Sequence, residues 1–215
     1  MLVRFFDWFI LAALAWLLCL GIVRMMALRA RGIRVVVIER NRTVVQDLLD
    51  RVQVLSLLFL AYEVVAYAWP LPSQLVPPWL DTILVDTRGA HVVGAVIVLT
   101  GIVVYGLALR AFGESWRLGI DRDRPGELVT DGIFAWSRNP VYLALDLFAI
   151  GTFFILGRVI FLILALANMG MFHLLIRREE RSLTQVYGDA YHDYCARVGR
   201  YFTLHSTRDD RSRSL

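Results

Sequence analysis

The residues best suited to chemistry in this chain fall in two short stretches. The first is Thr130-Asp131-Gly132-Ile133-Phe134-Ala135-Trp136-Ser137-Arg138-Asn139-Pro140-Val141-Tyr142. Asn139 is a good helix N-cap, and Pro140 suits the first helical position because its φ is already fixed. A helix N-terminus offers free N–H groups and a positive dipole end, so it can hold a carboxylate or phosphate. Arg138 beside it can supply a charged fork. The same residues also read as an ordinary helix start, with Arg138 marking a membrane interface. The second stretch is His173-Leu174-Leu175-Ile176-Arg177-Arg178-Glu179-Glu180-Arg181. Here His173, Arg177 and Glu180 or Arg181 recur at helical spacing and share a face. A carboxylate on that face can accept both hydroxyls of a ribose; the alternative is a solvated turn of internal Glu–Arg pairs.

Two further acids, Glu63 and Asp146, interrupt apolar runs. Ionisable groups within a membrane span are costly and point to a functional or a structural polar contact. For Asp146 the two readings stand level, and for Glu63 the structural one is favoured. No metal site is expected: His173 has no Cys or His at ligand spacing, and Cys19 and Cys195 are far apart. Neither a phosphate-binding glycine loop nor a Gly-x-Ser-x-Gly elbow occurs.

The elements that must position these residues are membrane helices. The chain has 215 residues, of which 58% are hydrophobic, and its mean hydropathy is +0.58. Ordinary globular chains are about 45–50% apolar, and here the excess lies in long runs. A spanning helix needs roughly 20 mostly apolar residues. Five segments come close: 5–23, 52–69, 90–109, 141–157 and 159–176. The fold expected is all-α and polytopic, with about five transmembrane helices, a C-terminal helical hairpin and a cytoplasmic tail helix. Only Gly157-Arg158 separates the last two segments, so they form an antiparallel hairpin with its turn at the bilayer surface and Arg158 reaching the headgroups. No small-x-small cleavage site follows the first segment, which is therefore expected to be a retained span.

All 23 basic residues are arginine. They flank apolar runs rather than interleaving with aromatics on a polar segment, which sets nucleic acid aside as a partner. Arg29, Arg31, Arg34, Arg40 and Arg42 lie between the first two segments, and Arg177, Arg178, Arg181, Arg197 and Arg200 follow the fifth. The loop from Pro70 to Gly89 has Arg88 as its one basic residue. By the positive-inside rule the N-terminus is outside, and the C-terminus is cytoplasmic. The organisation expected is 1–111 for the first three helices with their basic loop, 112–203 for a cofactor-binding region, and 204–215 for a disordered tail. The arginine-rich segment 177–198 reads as a helix continuing from the fifth span.

The ordered set of motifs at the C-terminal end resembles the superfamily of isoprenylcysteine carboxyl methyltransferases and phospholipid N-methyltransferases. It comprises Leu128-Val129-Thr130-Asp131-Gly132-Ile133-Phe134, Ser137-Arg138-Asn139-Pro140-Val141-Tyr142, Glu179-Glu180-Arg181-Ser182-Leu183, Tyr187-Gly188-Asp189-Ala190-Tyr191-His192-Asp193-Tyr194 and Arg197-Val198-Gly199-Arg200, and spans residues 112–202. The resemblance implies an integral membrane enzyme that uses S-adenosylmethionine from the cytosol and a lipophilic or lipidated acceptor from the bilayer. It implies cofactor binding by Asn139, Pro140, Tyr142, Glu179 and Glu180, with Arg138 at the cofactor's methionine end and Arg200 holding substrate or cofactor. Asn139 stands where the eukaryotic carboxyl methyltransferases have His, and Ala144 where they have Gly, so the acceptor does not carry over.

The reaction this implies is in-line methyl transfer. A carboxylate acceptor needs no base, whereas an amine must lose a proton, and His173 or Glu180 would be first to take it. Two other readings stay open. One is a membrane lipid reductase using a nicotinamide dinucleotide, which needs more cationic side chains converging on the pocket. The other is a non-enzymatic scaffold, which gives no reason for Arg138 and Glu180 to share one pocket.

Overall fold

Backbone polar groups cannot go unsatisfied in lipid, so each long apolar run is forced to close its hydrogen bonds on itself. The computed structural model describes residues 2–33, 43–69, 76–113 and 127–203, with side chains from residue 5. Six α-helices account for most of them: α1 Leu2–Ala30, α2 Val44–Ala68, α3 Arg88–Ala111, α4 Pro140–Leu156, α5 Val159–Tyr187 and α6 Asp189–Arg197. No β-strand occurs among the described residues, and the protein is an all-α polytopic membrane protein. Arg34, Arg40, Arg42, Pro70, Glu114, Arg117, Asp121–Arg124 and the tail 204–215 lie outside the described residues.

All five apolar segments read from the sequence are helical. Three helices are long and apolar enough to cross a membrane: Phe5–Ala30, Arg88–Ala111 and Val159–Tyr187. Apolar α4 is shorter, at 17 residues, or about 25 Å at 1.5 Å per residue. α2 has the length, at 25 residues, but opens on Asp47, Asp50 and Arg51 and carries Glu63. Thr43 starts α2 with a reciprocal capping box to Gln46, which lies well before the apolar run begins.

The closest helix packing is between α3 and α4, and small residues permit it. A Cβ on Gly94 would meet the Gly151 carbonyl at 2.7 Å, and one on Gly101 would meet the Ala144 carbonyl at 2.8 Å. Val98 lies fully buried between those two contacts. Ile10 from α1, Val64 from α2 and Phe161 from α5 join the same apolar core. α2 also meets α5 through polar groups: Gln53 donates to Asn168 Oδ1 at 3.0 Å, and Arg178 grips Asp50 at 2.8 and 3.3 Å.

The α4–α5 turn differs from expectation in one respect. Gly157 takes the left-handed conformation (φ 65°) that closes the hairpin. Arg158 turns onto the protein rather than out to headgroups. It donates to the Asp81 carboxylate at 2.5 Å and to the Asp81 carbonyl at 2.7 Å, and lies 4.9 Å from the Tyr67 ring centroid. Leu84 and Val85 donate to the Gly157 carbonyl, and Val159 donates to that of Thr82. Residues 81–85 therefore staple the turn, and Asp81 is the anion that meets the arginine.

A second difference lies at the far end of α5. The helix does not run on to residue 198 but stops at Gly188 (φ 53°), from which α6 departs. A side chain on Gly157 would collide with the Val85 carbonyl and would also be strained at positive φ. Gly157→Ala should therefore cost about 1–3 kcal/mol and lower the melting temperature in detergent. Gly170→Ala is the control: it lies in α5 with open space around its Cα, and should be neutral or mildly stabilising.

Candidate active site

The site is assembled from three segments that meet where α4 begins. A 3-10 turn, Gly132–Ala135, brings the chain to Trp136. Pro140 then opens α4, and Asn139 occupies the capping position. Its carboxamide makes no cap bond. It donates instead to Glu180 Oε1 at 3.4 Å and to the Arg200 carbonyl at 3.2 Å. The free N–H groups expected at this helix start are thus not met by Asn139, whose side chain ties α4 to α5 and to the strap 199–203.

That strap crosses the start of α4 after α6. Arg138 N–H donates to the Gly199 carbonyl, and Thr203 N–H donates to that of Trp136. The Thr203 hydroxyl accepts from Gly199 N–H at 3.0 Å. α6 holds the strap in place through buried Tyr191, Tyr194 and Val198, packed against Leu128 and Leu183. The Tyr194 hydroxyl donates to the Phe134 carbonyl at 2.7 Å, and burial pushes that phenol well up from its ordinary value.

At the junction, Glu180 lies between two arginines. Arg138 approaches Oε1 at 3.1 Å. Arg200 grips Oε2 through Nε at 2.9 Å and a terminal nitrogen at 2.6 Å. These bonds raise the affinity of the Arg200 guanidinium for its proton. Glu180 and Arg138 side chains are 10% and 12% exposed, so both charges are largely out of water and need each other. The cluster carries two positive charges against one negative. Arg138 Nε is buried with no hydrogen-bond partner among the described residues.

One turn into α4, the Tyr142 hydroxyl donates at 2.8 Å to Oε1 of Glu179, the residue before Glu180, and its ring rests on Phe172 at 5.2 Å. His173 Nδ1 lies 2.7 Å from the Tyr201 hydroxyl. The candidate residues Arg138, Asn139, Pro140, Tyr142, Glu179, Glu180 and Arg200 are therefore gathered at one end of the α4–α5 hairpin, with His173 tied to the strap beside them. Of the face read from spacing, Arg177 and Arg181 point outward and are exposed; the inward residues are Ile176 and Glu180. Two participants escaped the sequence reading. Tyr201 sits directly after Arg200, which was its one available signal, and Asp50 had none as the partner of Arg178.

Part of the chain is similar to known proteins. Residues 90–190 match the family model described as phospholipid methyltransferase. Two curated relatives are both named protein-S-isoprenylcysteine O-methyltransferase. The one from Schizosaccharomyces pombe is 36% identical over 78 residues, which is 36% of this chain and 33% of that protein. The one from Xenopus laevis is 30% identical over 110 residues, which is 50% of this chain and 38% of that protein. Over these residues the chain is similar to the phospholipid and isoprenylcysteine methyltransferases. Its aligned part spans between a third and two fifths of those relatives' length. The matched methyltransferase region starts with α3 and ends at the first turn of α6, so it holds Arg138 and Glu180 while α1, α2 and Arg200 lie outside it.

Removing the Glu180 carboxylate leaves the Arg138 cation buried without its partner. Glu180→Ala should cost about 3–5 kcal/mol. Arg200→Ala should cost less, because Arg200 is 35% exposed and Arg138 still neutralises Glu180. Thermal unfolding of both variants in the same detergent checks this order.

Proposed function

We propose that the protein transfers a methyl group from S-adenosylmethionine to a lipophilic, membrane-borne acceptor. The observation that carries this reading is the buried Arg138–Glu180–Arg200 cluster at the mouth of the α4–α5 hairpin, inside and adjoining the region that matches the methyltransferase family. The names of the two relatives support methyl transfer to a lipidated acceptor.

The donor set suits this cofactor. An α-carboxylate would meet the surplus positive charge of the cluster, including the unpartnered Arg138 Nε. Tyr142 and Glu179 offer an aromatic face and a carboxylate for the nucleoside. Asn139 and Pro140 fix the start of α4, and Glu180 holds Arg138 and Arg200 in place. When bound, S-adenosylmethionine supplies an electrophilic methyl on a sulfonium. The protein's part is alignment and exclusion of water, which favour a reaction that consumes charge. Both oxygens of Glu180 already accept from arginines, which leaves His173 as the base for an acceptor that must lose a proton.

A nicotinamide dinucleotide would bring a diphosphate, whereas Glu180 already neutralises part of the positive charge here and Asp50 pairs with Arg178. A scaffold needs no surplus positive charge in such a cluster. The arginine-rich ends of the helices favour a cytoplasmic site with the 76–87 loop outside.

Calorimetry with S-adenosylhomocysteine on detergent-purified protein tests the cofactor. Binding is expected for the wild type, weaker by about tenfold or more in Arg138→Ala, since a hydrogen bond to a charged group contributes about 1.5–3 kcal/mol. No binding by a well-folded wild type overturns the proposal. Impermeant thiol labelling tests the topology. A cysteine placed at Trp79 should react from outside the cell and Cys195 only after lysis; the reverse pattern overturns the orientation.

A further inference from the structure

The α4–α5 hairpin carries a second polar group that the Arg–Glu–Arg cluster does not use. Asp146 lies one turn past Tyr142 on the same face of α4, about 9 Å along the axis from Pro140. It is only 6% exposed, and its Oδ1 has no hydrogen-bond partner among the described residues. Tyr142 packs on Phe172, and the next residue, His173, stacks on Tyr201 with ring centroids 6.2 Å apart. The Tyr201 phenol is pushed up from its ordinary value, first by burial and then by the charge of Asp146, which brings the carboxyl into the same neighbourhood. A carboxyl from α4, an imidazole from α5 and a phenol from the strap thus gather next to the cluster, deeper along the hairpin.

A carboxyl held out of water with an open oxygen is unfavourable unless something meets it. The nearby cations cannot do so, because Arg138 and Arg200 are both drawn to Glu180. A carboxylate guest would set two anions side by side, which raises the cost of charging both. An ammonium guest supplies the missing partner, with donors for Asp146 and a proton that His173 can take.

We infer that Asp146, His173 and Tyr201 form an acceptor subsite, and that this subsite binds the amine head of a lipid-like molecule in preference to a carboxylate. Its catalytic meaning rests on the methyl-transfer reading, but the binding preference stands apart from it.

The experiment compares octylamine with octanoate, two probes of equal chain length, by calorimetry on the full chain in phosphatidylcholine nanodiscs. S-adenosylhomocysteine is titrated into the same samples. Octylamine should bind more tightly than octanoate, and Asp146→Asn should weaken it by about tenfold or more, with S-adenosylhomocysteine binding unchanged. Tyr201→Phe keeps the ring against His173 and should also weaken octylamine, so it decides the matter if Asp146→Asn does not fold. Octanoate binding more tightly, or octylamine indifferent to the folded variants, overturns the subsite. Asp146-dependent octylamine binding without any S-adenosylhomocysteine binding upholds the subsite and overturns methyl transfer instead.

Discussion

Two arginines share one buried carboxylate, and much of this end of the protein follows from that. Arg138 precedes α4, Glu180 sits far along α5, and Arg200 comes after α6, so the three charges tie three separate segments together. A desolvated charge tolerates little displacement from its partner. The cluster therefore fixes the register of α5 against the start of α4 and draws the strap across both. Asn139 is recruited into the same arrangement: its carboxamide leaves the helix cap and bridges Glu180 to the Arg200 carbonyl.

The opposite end of the hairpin is held by different means. There a glycine in the left-handed region makes the turn, and the 81–85 segment lies so close that backbone carbonyls and amides bond directly across it. Between the two ends, α3 and α4 approach through Gly94, Gly101 and Gly151. Lipid gives little hydrophobic drive for helices to associate, so close backbone approach and a few polar contacts must do so. The result is a hairpin pinned at both ends and packed tightly against α3, which is a suitable frame for a site that depends on alignment.

The helices were legible because a long apolar run has few other options in a membrane. The grouping of Arg138, Asn139, Pro140, Tyr142, Glu179, Glu180 and Arg200 was legible as an ordered set of motifs, although no spacing alone distinguished them from an ordinary helix start and a charged turn. Less legible were choices between competing partners. Arg158 could in principle reach lipid phosphates or Asp81, and only the fold shows that it pairs with Asp81. Asn139 has the chemistry of a cap and spends it elsewhere. The face assigned to Arg177 differed because 100° per residue separates Ile176 from Arg177 enough to put one inside and the other out. The segment 177–198 read as one continuing helix, yet the positive φ of Gly188 ends α5.

The position of the strap also bears on how the protein is made. Helices enter the membrane in chain order, so α4 is present with Arg138 before Glu180 exists to receive it, and both precede Arg200. During synthesis the site passes through a stage with one cation and no anion, then a stage with a single balanced pair, and regains a net positive charge when Arg200 arrives. Until that moment the nascent chain lacks the assembled three-charge cluster proposed for cofactor capture, so a half-made copy would be a poor competitor for the cell's supply of it.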